Sequence, residues 1–234
     1  MASLFVAACF FVGIHLFVSG TGLRDRLVAR LGERVYLVLF SIASGIGLIW
    51  LIRAWLRATR GTVVAPPETL QLWLLPVSWR PILAVVVGIA FLFVVVGLTT
   101  PSPTAAGGEG RLASPDPATG ILRITRHPFL IGVGIWAVVH LIANGDTASL
   151  VFFGAFLILA VTGPVSIDRK RARKHGESWT SFARMTSIVP FAAIASGRNR
   201  LVLSEVGLWR PLAAIAIFAC ILAFHARIFG VAAL

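Results

Sequence analysis

Residues 81–99 read PILAVVVGIAFLFVVVGLT, nineteen positions without a charged side chain. At a helical rise of about 1.5 Å per residue this run covers roughly 28 Å, close to the hydrocarbon thickness of a bilayer. Working outward, similar apolar runs lie at about 2–19, 35–56, 129–143, 147–165 and 209–230. The expectation is an all-α polytopic bundle of about six transmembrane helices. Composition agrees: the chain is 58% hydrophobic and 13% charged, with a mean hydropathy of +0.91. A soluble domain is about half apolar and a quarter charged, so the solvent around this chain is the lipid bilayer. No polar stretch is long enough to fold separately, and a single membrane domain over residues 1–234 is expected.

The run at 129–143 is short. It follows Pro128 and stops before Asn144-Gly145-Asp146, a turn signal that makes the fourth and fifth spans an antiparallel hairpin. Asp146 is expected to cap the fifth span. The stretch 63–79 is apolar but broken by Pro66, Pro67 and Pro76, and Trp73 and Trp79 point to the membrane interface. The N-terminus is apolar from Leu4 with no basic segment before it, so a retained first helix is expected. Residues 100–120, rich in Pro, Gly, Ala and Ser, read as a flexible connector without chemistry. The segment 168–184 reads as a helical extension of the fifth span that turns at Gly176. Trp179 and Phe182 then carry it back along the membrane surface.

The formal charge of +12 does not point to nucleic acid, because the basic residues sit in short loops between spans. Sixteen of the 21 Lys and Arg residues fall on one side, including the basic loop at about 168–208. By the positive-inside rule that side is cytoplasmic, which puts both termini on the non-cytoplasmic side of a bacterial-type inner (plasma) membrane. Cys9 and Cys220 lie in apolar runs with no CxxC spacing and are expected as buried free thiols.

Ionisable side chains inside spans are costly and are functional candidates by default. Three histidines qualify: His15, His140 and His225. Each has two readings, an interhelical hydrogen bond contributing about 1 kcal/mol or an axial ligand of haem iron. Arg126 and His127 precede Pro128 at the start of the fourth span, where free amides favour a phosphate or carboxylate. The bland alternative is topology, with Arg126 snorkelling to headgroups. Asp168 is placed to pair with Arg126 or Arg169, and His175 is expected to be solvated.

The run from Ile124 to Leu201 resembles the NnrU family and its relative, 15-cis-ζ-carotene isomerase. The carrying residues are Ile124-Thr125-Arg126-His127-Pro128, Trp136, His140, Asn144-Gly145, Asp168-Arg169, Gly176, the string TSIVPFAAI at 186–194, and Gly197-Arg198. The first span adds His15, Ser19-Gly20, Leu23-Arg24 and Gly32-Glu33-Arg34. The resemblance implies, for the NnrU branch, a part in denitrification, where it is needed for nitrite and nitric oxide reductases to be produced. For the isomerase branch it implies haem b and isomerisation of a central cis double bond in a polyene. The isomerase ligands correspond to His15 and His140, which would make these residues the ligands of haem iron. His225 is the alternative ligand, and Arg126 and His127 would pair with propionates. A cysteine of that branch, three residues before the second ligand, is replaced here by Ala137. Rise per residue puts His140 roughly 18 Å above the cytoplasmic end of its span and His15 roughly 8–12 Å above, so their levels disagree.

The Arg-His-Pro triplet is also similar to one in isoprenylcysteine and phospholipid methyltransferases, where it helps bind S-adenosylmethionine. A glutamate pair follows in those enzymes, whereas Ile167-Asp168 stands here. The leading expectation is a haem b-binding NnrU-type membrane protein serving nitrogen-oxide metabolism. Alternatives are a haem-dependent isomerase acting on an apolar small molecule and a non-catalytic membrane assembly factor. Protein partners are left open.

Overall fold

A computed structural model describes residues 1–60, 67–230 and 233. It is all-helical apart from one isolated backbone bridge among the described residues. Five helices are long and apolar enough to cross a membrane: α1 (Ala2–Ser19, its last turn Ile14–Ser19 in π form), α3 (Glu33–Arg60), α4 (Val77–Thr99), α6 (Thr147–Met185) and α8 (Trp209–Phe229). The expected fourth span forms α5, Pro128–Ala143, but its 16 residues rise only about 24 Å. A short amphipathic helix, α2 (Gly22–Leu31), stands where charge alone was legible, and α7 (Ala192–Ala195) is a single turn. In all five long helices the buried share of the most apolar window is under a third. An apolar surface of that extent is stable only against hydrocarbon, so the protein is a multi-pass membrane protein.

The chain forms two compact units. The first comprises residues 1–76 and 137–163. Its core combines Leu4, Ala7 and Phe11 of α1 with Leu51 and Ala54 of α3 and Phe152 and Phe153 of α6. At Gly47 an added Cβ would stand 2.9 Å from the Phe10 ring, so the missing side chain is what lets α1 and α3 close. The turn at Asn144-Gly145-Asp146 is pinned by the extended segment before α4. Leu72 and Trp73 amides donate to the Gly145 carbonyl, and the Trp73 indole donates to the Ile142 carbonyl. Asp146 accepts from the Ser149 amide and caps α6 as expected. Residues 63–66 of the expected interfacial stretch lie outside the described residues. Trp73 and Trp79 are both largely exposed.

The second unit comprises residues 77–136 and 164–234. There α4 packs on α8 through Phe91 and Phe218, whose ring centroids are 5.6 Å apart. The start of α5 packs on α4 at Gly132, where a Cβ would meet the Ala90 carbonyl oxygen at 2.7 Å. The 39-residue α6 breaks at Gly176, whose φ of 51° is one that glycine adopts freely. This is the expected turn. Past that turn Trp179 and Phe182, expected at the membrane surface, are buried against Ala118. Residues 100–120, read as a loose connector, are thus part of a packed layer because they cover those two aromatics. Cys9 and Cys220, expected to be buried, lie on exposed helix faces.

Gly132→Leu should destabilise the protein by about 1–3 kcal/mol, because backbone atoms on α4 must move. Gly154→Ala, with open space around its Cβ, should be neutral or stabilise by up to about 1 kcal/mol through helix propensity. Thermal unfolding of both variants in detergent checks the pair.

Candidate functional site

In the first unit the ionisable groups that the sequence placed within spans are the imidazoles of His15 and His140. His15 is the second residue of the π-helical turn, a helix form often found at functional positions. Its Nδ1 lies 2.7 Å from the Phe11 carbonyl oxygen. A carbonyl only accepts, so Nδ1 carries the proton and donates. The Ser44 hydroxyl, 3.4 Å from Nε2, donates to the other nitrogen, a long contact. Phe11 and Phe40 close on the ring at centroid distances of 4.7 and 5.3 Å. Both ring nitrogens are thus engaged, Nδ1 within α1 and Nε2 across to α3; metal-ligating histidines likewise anchor one ring N–H on a carbonyl or carboxylate.

His140 stacks on Phe153 at 4.8 Å, and its carbonyl accepts from both nitrogens of Asn144. Phe153 in turn meets Trp55 of α3. The rings of Phe11, Phe156, Phe152 and Phe153 form a continuous series of contacts from His15 to His140. His15 meets α3 at Ser44, whereas the Phe153 ring that stacks on His140 meets α3 at Trp55, eleven residues further on. That spacing is roughly 16 Å of helical rise. His225 belongs to the other unit, where its ring rests against Phe229.

Arg126 and His127 sit in the second unit and converge on one carboxylate. Arg126 donates from Nε and Nη2 to Asp168 Oδ2, at 2.9 and 2.5 Å. His127 Nε2 lies 2.8 Å from Asp168 Oδ1. The expected pairing of Asp168 is therefore with Arg126. The loop string locks the same corner: the Arg126 amide donates to the Ser187 carbonyl, Thr125 Oγ1 to Ile188, and the Phe191 amide to Ile124. Phe191 adopts a φ of 64°, a left-handed conformation uncommon for phenylalanine. The positive charge that was a candidate for propionates is neutralised here by an internal acid. Burial pushes the His127 imidazole below its ordinary range, against the pull of Asp168.

A second ionic hub was not legible as one. Arg123, buried, donates to both oxygens of Glu205, to Asp116 and to Asn199. The Gly120 amide adds a further bond to Glu205. The Arg123 guanidinium holds the Glu205 carboxyl below the usual carboxylate range. The available signal was scarcity: with nine acidic residues in the chain, an acid inside a basic loop marks a structural partner. His175, expected to be solvated, has its Nε2 shielded from solvent.

Asp168→Asn should cost about 3–5 kcal/mol, because it leaves a buried guanidinium without its counter-charge. The folded state holds His127 neutral, while the unfolded chain takes up a proton near pH 6.5. Stability is therefore full above that value and falls as pH drops through it. The thermal midpoint should decline between about pH 7 and 5, and His127→Gln, which keeps a donor for Asp168, should flatten the decline.

The comparisons with known proteins fit this architecture. The chain is similar to the chloroplastic 15-cis-zeta-carotene isomerases of Arabidopsis thaliana, 37% identical, and Zea mays, 35% identical, each over 83 residues. Those residues are 36% of this chain and 23% of each plant protein, so the match spans under a quarter of the relatives' length. No solved structure matches the chain. The family model described as NnrU protein matches residues 3–233, nearly the whole chain, and the protein belongs to the NnrU family.

Proposed function

We propose that this protein is a haem b-binding member of its family, with His15 as the primary iron ligand and His140 as the second. The observation that carries the proposal is the His15 hydrogen bond to the Phe11 carbonyl, which anchors Nδ1–H and makes Nε2, in long contact with the Ser44 hydroxyl, the nitrogen that would turn to iron. Phe11, Phe40 and Phe156 supply the apolar, aromatic walls that a macrocycle needs. When bound, haem supplies a redox-active iron in a water-free setting. The chain's own part is to fix the imidazole tautomer, exclude water and admit apolar molecules sideways from the bilayer. The difference in height between the two histidines makes His15 indispensable and His140 dependent on helix adjustment.

The reaction class supported by the relatives' names is cis–trans isomerisation of a long apolar polyene. A part in nitrogen-oxide metabolism, in a bacterial-type inner membrane with both termini outside, is the second reading. Two observations favour it: the family match runs through nearly the whole chain, and the fully buried Ala137 puts no thiol beside His140.

Detergent-purified protein from haem-replete cells should show a Soret band. His15→Ala should abolish it, and His140→Ala should convert a six-coordinate spectrum to a five-coordinate one. A colourless wild-type protein overturns haem binding. With haem bound, reduced protein incubated with 9,15,9′-tri-cis-ζ-carotene should deplete the 15-cis isomer. No depletion removes the isomerase reading in favour of the nitrogen-oxide one.

A further inference from the structure

We propose that the cleft between the start of α1 and the last four turns of α3 binds an anionic phospholipid. Its phosphate would rest on Arg53 and Arg57, and one acyl chain would lie along Ile46 and Ile49.

The cleft encloses about 320 Å³ and is walled by Ser3 on one side and by Ile46, Ile49, Trp50, Arg53 and Arg57 on the other. Its origin is local. At Gly47 the absent side chain draws α3 onto Phe10, and one turn further on the Trp50 indole donates to Ser3 Oγ at 3.1 Å. Beyond that bond α1 ends and α3 continues for ten residues; Ala54 and Ala58 on one face are buried, while the face that carries Arg53 and Arg57 is open.

Along that wall the side chains recur every three or four residues, at 46, 49–50, 53 and 57, which puts them on one helical face. Their order is that of an amphiphile. Ile46 and Ile49, both largely exposed, face the side toward the middle of the helix. Two guanidiniums follow toward its end. Among the described residues neither Arg53 nor Arg57 has a carboxylate or a hydrogen-bond partner. This sets them apart from Arg24, Arg123, Arg126 and Arg171, each of which holds an internal acid. Paired guanidiniums one turn apart offer several donors to phosphate oxygens, and such charge-assisted bonds are among the stronger ones. A free phosphate would satisfy the arginines but not the exposed isoleucines. A zwitterionic lipid would bring a third cation to a site that already holds two. The occupant that meets both halves carries a net negative headgroup and an acyl chain.

The test uses the full chain in detergent and is independent of haem. Phosphatidylglycerol should raise the thermal midpoint more than phosphatidylcholine does, and native mass spectrometry should retain the anionic lipid selectively. Arg53→Gln with Arg57→Gln should lose that selectivity while keeping the midpoint seen in phosphatidylcholine. Equal stabilisation by both lipids overturns the proposal, as does selectivity that survives in the double variant. Glycerol phosphate stabilising as well as the lipid would also overturn it, since the acyl half would then contribute nothing. Should the double variant fail to fold, the wild-type mass spectrum alone decides: no retained anionic lipid means no site.

Discussion

Hydrocarbon offers no hydrogen-bond partner, so every backbone amide within it must be satisfied inside its own segment. That constraint makes α1, α3, α4, α6 and α8 helices, and it dictates where the chain may be anything else. The one extended stretch that pairs across the first unit, before α4, meets the turn at Gly145. There its amides find a carbonyl and an indole finds another. Gly145 itself leaves no room for a side chain, since an added Cβ would stand 2.1 Å from the Trp73 carbonyl oxygen. Irregular backbone is tolerated at this point because it is fully paired, and the pairing in turn fixes where α6 begins and how Asp146 caps it.

The same constraint sorts the charges. Acidic groups are scarce, and four of the five in the second unit are used as internal partners: Asp168 for Arg126 and His127, Glu205 and Asp116 for Arg123, Glu109 for Arg171. These hubs tie the loops to the helix ends and neutralise Arg123 and Arg126 from within. In the first unit the polar residues at depth are uncharged or imidazole, and they are arranged differently. Ser44 and the Phe11 carbonyl address the two nitrogens of His15 separately, so the ring is oriented and its tautomer chosen. The bond within α1 fixes the tautomer, and the bond to Ser44 joins α1 to α3, so a ligand at Nε2 would have to take the place of the Ser44 hydroxyl.

Much of the fold was legible because its causes are periodic or local. The run at 81–99 could be little but a span, Asn144-Gly145-Asp146 little but a turn, and Gly176 marked the break in α6 where no side chain blocks the required dihedral. Pairwise events were less legible. Trp179 and Phe182 read as surface aromatics since nothing near them in sequence announces Ala118 as their cover. Arg123 counted as one loop charge among many because its acids lie 7 residues before it and 82 after it. The site divided along the same line. Rise per residue already placed His15 and His140 at unequal heights, whereas the hydroxyl of Ser44 and the phenylalanine series between the histidines depend on three helices at once.

What separates one chemistry from another on this scaffold is therefore a small set of side chains. A shared fold does not carry a shared reaction, and the plant relatives match only part of this chain. Ala137 lies on the same face of α5 as His140 and is completely buried, so a methyl group stands one turn before that imidazole. On the proposed haem-binding reading the chain would offer no thiol there to exchange with His140. Any change of ligand would then have to come from His140 itself or from the incoming molecule.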